Sequence, residues 1–112
     1  MFKTDFYIFT ENENTAYKKV SGWGETLEAP DGSIIEIRLY KHLKQWLVAE
    51  ESTGHPVTLK SFTTRAAAIE SLTPEVLQRV AERLKEPAGV KAANRLADYI
   101  IIQNLANYIL TH

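Results

Sequence analysis

Glu51 and His55 stand four residues apart, a spacing at which a carboxylate and an imidazole on one helix face can share a metal ion. Thr53 and Gly54 between them, and Pro56 after them, favour a turn instead, so His55 is expected to be an exposed turn residue. His42 reaches that site only through the fold, and His112 is the last residue given. With no cysteine in the chain, only histidines and carboxylates remain as ligands, and neither a metal nor another cofactor is expected.

Nucleophilic and phosphate chemistry fare no better. Ser52 and His55 can meet across the turn, but no G-x-S-x-G elbow presents the serine and no oxyanion hole is visible. Glu50 and Glu51 are adjacent strand residues that point to opposite faces, so they make no acid–base pair. Gly22 and Gly24 flank Trp23, and no G-x-x-x-x-G-K-[ST] occurs. The chain is expected not to be an enzyme.

A basic and aromatic cluster offers a different chemistry. Arg38, Tyr40, Lys41 and Lys44, with His42 and Trp46 nearby, could share one edge of a hairpin, contacting phosphates while rings stack on bases. Glu36, Glu50 and Glu51 surround it and would repel a polyanion, so nucleic acid is the alternative partner and not the favoured one. Trp46, beside Leu47 and Val48, reads as a core or sheet-face anchor. Trp23 reads either as an exposed partner contact or as a lid over the sheet edge.

The elements that must position these residues follow from periodicity. Residues 2–9 are rich in aromatic and β-branched types and predict a first strand. The polar run 11–14 predicts a loop, residues 15–25 are ambiguous between strand and helical turn, and residues 21–24 predict a turn around Trp23. Pro30-Asp31-Gly32 is a turn signal, and Ile35, Ile37 and Leu39 then alternate with Glu36 and Arg38 as in a half-buried strand. Residues 45–50 and 57–62 predict two further strands, and such short connections favour antiparallel pairing.

Thr63 or Thr64 can cap a helix through Ala66–Ala68 and Ile69 to Leu72, and Thr73-Pro74-Glu75 is a stronger start for a second. Val76, Leu77, Val80, Ala81 and Leu84 form its apolar stripe, Glu75 and Arg79 can pair on its wet side, and Pro87 and Gly89 end it. A last helix is expected over residues 90–110. The whole predicts a single α+β domain over residues 1–112. An antiparallel meander of four or five strands (residues 1–62) precedes three helices packed on one face (residues 63–112).

Composition agrees with an ordinary folded domain: 112 residues, 45% hydrophobic and 24% charged, with net charge −1. Residues 1–56 carry six Lys/Arg and nine Asp/Glu, and residues 57–112 carry seven and five, so neither half suits a polyanion or an anionic membrane. The opening residues lack the pattern of a secretory signal, and no apolar run is long enough to span a bilayer, so a cytoplasmic location is expected and no membrane partner.

The last helix is the unusual element. Its first half carries Lys91, Asn94, Arg95 and Asp98 on one side and Ala93, Leu96 and Ala97 on the other. The inner face is expected to continue through Ile100, Ile101, Leu105 and Tyr108. Beyond Asp98 the formerly polar side becomes Tyr99, Ile102, Ala106, Ile109 and Leu110. A helix apolar on all sides should be buried on all sides, and so small a domain covers only one of them. The expectation is therefore a protein-interaction module with Tyr99, Ile102, Ala106, Ile109 and Leu110 as its interface, its partner a second copy or another protein.

Overall fold

The computed structural model describes residues 1–10 and 16–111. The expected loop at residues 11–14 and the terminal His112 lie outside the described residues. Four strands, β1 (Phe2–Phe9), β2 (Tyr17–Glu28), β3 (Ile34–His42) and β4 (Gln45–Glu50), form one antiparallel sheet in sequential order. Three helices follow: α1 (Arg65–Glu70), α2 (Pro74–Lys85) and α3 (Pro87–Thr111). This is the expected α+β meander with its helices after the sheet.

The alternation in β3 decides which face the helices cover. Ile35, Ile37 and Leu39 are fully buried and cluster with Val48 of β4, Ala68 and Leu72 from the first helical turn region, and Leu77 and Ala81 of α2. Each large aliphatic buried there contributes about 1.5–3 kcal/mol. Trp46 packs against this core half-buried, the sheet-face anchor of the two expected positions and not an enclosed core residue.

Caps set the helix starts. Thr64 Oγ1 accepts from the Ala67 N–H at 3.1 Å, and Thr73 Oγ1 accepts from the Val76 N–H at 3.3 Å. Each satisfies a donor that the first helical turn would otherwise leave free.

Three local expectations are corrected. Residues 21–24 do not turn: they run straight through the middle of β2. Gly22 lies so close to the Leu39 carbonyl, and Gly24 to the Phe2 ring, that any Cβ would collide, so these glycines serve close approach across strands. Residues 57–62 are not a strand. Their segment makes only isolated bridges to β4, Ala49↔Pro56 and Trp46↔Phe62, in place of a continuous ladder. More residues separate Pro56 from Phe62 than Trp46 from Ala49, so the excess bulges outward and leaves Leu59 95% exposed. Finally, Pro87 does not merely end α2 but begins α3. Glu86, forced extended by the following proline (φ −71, ψ 154), makes the break, and Pro87 suits the first helical turn because its missing N–H needs no partner there.

Candidate functional site

The β3–β4 hairpin turns at Leu43 and Lys44, both with positive φ (50 and 65). That backbone is the tight two-residue geometry matching the twist of paired strands. The turn does not gather the four expected nucleic-acid contacts on one surface. Arg38 is only 9% exposed, its guanidinium lying 5.2 Å from the Phe2 ring centroid and donating to the Ile37 carbonyl at 3.0 Å. Tyr40 packs edge-on to Phe6 at 5.9 Å on that same face, where burial pushes its hydroxyl pKa up. Lys41, one residue on, projects to the opposite face and sits 5.9 Å from the Trp46 ring. Lys44 stays in the exposed turn. Arg38 and Tyr40 pack on one face of the sheet, the strand pleat sets Lys41 on the other, and Lys44 lies in the turn beyond.

Trp23 takes neither a loop position nor a free one. Half-buried in β2, it receives the Arg65 guanidinium at 4.6 Å, and the same group lies 5.9 Å from Trp46. Cation–π contacts of this kind contribute about 0.5–2 kcal/mol and pin α1 to the sheet.

Around His55 the turn is built from side-chain oxygens. The Glu50 carboxylate, 5% exposed as a residue, accepts from the Ser52 and Thr53 N–H groups and from both hydroxyls at 2.7–3.0 Å. Gly54, with φ +70, accepts from the Phe9 N–H at 2.8 Å and so ties the tip of β1 to the loop after β4. The His55 ring stacks on Phe9 at 4.5 Å and is half-buried, not the exposed turn residue expected. Burial pushes its pKa down, with Arg95 adding to that and Glu50 opposing it. Ser52 Oγ is committed to Glu50. Among the described residues no three His, Cys, Asp or Glu side chains converge as a metal site.

The distal half of α3 behaves differently from everything else. Leu96 is buried and Ile100 half-buried, but the core-facing line then passes through Gln103 and Asn107. Ile101, Leu105 and Tyr108, expected to continue the inner face, are all more than half exposed. At roughly 100° per residue they lie about 120–180° around the helix from Leu96, too far to share its contact. Ile102, Ile109 and Leu110 are 61%, 65% and 83% exposed, and Ala106 is exposed with them. Tyr99 stands apart from this group. Its ring packs on Tyr17 at 5.0 Å and on Tyr7 at 5.6 Å, so it anchors α3 to the sheet.

Beside the first turns of α3 lies a groove of about 1010 Å³ between the bulged residues 55–62 and helices α2 and α3. Its floor is apolar (Val57, Phe62, Val76, Val80, Leu84), and Ala88 and Ala92 form the α3 wall. Arg79, Arg83 and Lys60 stand around it, with Glu86 at the α2–α3 junction. Arg79 does not make the expected pair with Glu75, and among the described residues neither arginine joins an ion pair. The groove escaped sequence reading because its walls come from three separate segments. The small residues Ala88, Gly89 and Ala92 at the start of α3 were the available signal.

No family model, curated protein or solved structure matches this chain. Among the described residues no helix is long and apolar enough to cross a membrane.

Proposed function

We propose that this protein is a non-catalytic interaction module that self-associates through the distal half of α3. One observation carries the reading: beyond Ile100 the helix is apolar on several sides at once, without a charged side chain to Thr111, and lacks cover. α3 has 25 residues, about 37 Å of helix, against a longest molecular dimension of 45 Å. Three turns of helix standing alone in water are marginal, because most helical stability in proteins comes from packing an apolar face. A second copy offers the same uncharged surface, so pairing about a two-fold axis meets no like-charge repulsion.

The nucleic-acid alternative through Arg38, Tyr40, Lys41 and Lys44 has less behind it, since Arg38 and Tyr40 are engaged by Phe2 and Phe6.

Ile102→Arg tests the proposal. Burying one isoleucine contributes about 1.5–3 kcal/mol, and a symmetric dimer buries two, so the dissociation constant should rise at least about 100-fold. Light scattering across a concentration series measures the mass. Circular dichroism should keep the folded spectrum apart from some helix signal of the released tail, because Ile102 makes no core contact in the monomer. A wild-type chain that remains monomeric at every concentration defeats self-association.

A further inference from the structure

We infer that the groove between residues 55–62 and helices α2 and α3 is a binding site for an amphipathic carboxylate, its alkyl chain lying on the apolar floor and its head group held by the cations around it. The site is separate from the distal half of α3 and does not rest on self-association.

The floor follows from a second apolar stripe on α2. Leu77 and Ala81 are buried in the core, whereas Val76, Val80 and Leu84, four residues apart, stay half-buried and line the groove with Val57 and Phe62. On the α3 side Ala88, Gly89 and Ala92 have too little side chain to fill the space. Gly89 is in backbone contact with Arg83, so the joint of the two helices closes one end. The volume of about 1010 Å³ stands at the upper end of small-molecule sites, roughly 300–1,000 Å³, which are mostly apolar with a few polar groups. From Val76 to Leu84 the α2 floor runs about 12 Å at 1.5 Å per residue, the length of a medium alkyl chain. Such a chain brings no hydrogen-bonding group that this floor of side-chain carbon would leave unpaired.

Charge selects the head group. Lys60, Arg79 and Arg83 are exposed around the groove, and among the described residues none of them joins an ion pair. Arg79 and Arg83 stand one turn apart on α2, a like-charge spacing that costs helix stability unless an anion answers it. Each also leaves a nearby carboxylate unused, Glu75 for Arg79 and Glu86 for Arg83. Glu50 is committed to Ser52 and Thr53, and burial keeps His55 neutral at pH 7. Three cations against Glu50 and Glu86 leave the groove one positive charge in surplus, in a chain whose net charge is −1. A carboxylate matches that surplus, while a phosphate group, with a charge of about −2, exceeds it.

Decanoate, kept below its micelle concentration, is the probe. Titrated into nitrogen-15-labelled protein, it should shift the amide signals of Val57, Val80, Leu84 and Ala92 together and leave those of Ile102 and Ile109 in place. Affinity should rise at least tenfold from hexanoate to decanoate, because each buried methylene adds to binding. Decanol should bind at least fivefold more weakly than decanoate. Lys60→Gln combined with Arg83→Gln changes only exposed side chains. It should weaken decanoate at least fivefold and leave decanol unchanged, a split that a damaged fold would not produce. Decyltrimethylammonium binding as tightly as decanoate would show apolar adsorption without a carboxylate site and overturn the inference. Shifts confined to the distal half of α3 would overturn it too, as would the absence of saturable binding at every chain length, leaving the groove to a protein partner. Ile102→Arg should bind decanoate like the wild type, so this site and self-association stand or fall separately.

Discussion

His55 shows how one side chain converts burial into pH dependence. Its ordinary value is near 6.5, and burial against Phe9 lowers it in the folded chain. The unfolded chain therefore binds a proton more readily, and stability rises with pH across the interval between the two values. The contribution is fully present above about 6.5 and is lost as pH falls from there through the lower folded value. Urea midpoints across the weakly acidic range should fall for the wild type. His55→Phe keeps a ring on Phe9 but cannot titrate, so its midpoints should vary less there; identical pH curves would show that His55 is not responsible. Asp31 works in the opposite corner. Lys85 at 2.7 Å, with Ser33 and Gln78, holds its carboxyl far below the ordinary carboxylate range, tethering the β2–β3 turn to α2. Lying at the surface, it is a contact that salt weakens.

Among the elements, α2 is the one whose start rests most clearly on a single group. Replacing Thr73 by alanine removes the acceptor for the Val76 N–H and should cost about 1 kcal/mol, whereas Thr73→Ser should cost little. Equal losses in chemical denaturation would mean that the hydroxyl does not cap. Elements governed by local chemistry were legible in this way: the alternation of Ile35, Ile37 and Leu39, the threonine caps, the turn at Asp31-Gly32. Elements governed by distant neighbours were not. Gly22 and Gly24 look like a turn until Leu39 and Phe2 occupy the space where their side chains would be. Residues 57–62 have strand composition, yet β4 accepts only their ends. Pro87 breaks a pattern in sequence, but in space it lets one helix stop and the next begin. The candidate interface was half legible: Ile102, Ala106, Ile109 and Leu110 are exposed as expected, whereas Tyr99 found partners in Tyr7 and Tyr17.

For the whole molecule, the proposed self-association through the exposed tail would couple stability to concentration. If folded chains associate and unfolded ones do not, mass action raises the thermal midpoint as protein is added. A tenfold increase in concentration shifts the balance by up to about 1.4 kcal/mol, several degrees for a domain of this size. Calorimetry over two decades of concentration should show that rise in the wild type, and a flat midpoint would contradict association. The link from the Phe9 N–H to the Gly54 carbonyl has a consequence in time. The hairpins of the meander join neighbours in sequence and close cheaply, but this link joins the first strand to the loop after the fourth. Its loop-closure entropy is offset only once the intervening strands are in place. The seam therefore belongs to the late side of the folding barrier: weakening it should quicken unfolding while leaving the rate of folding nearly unchanged.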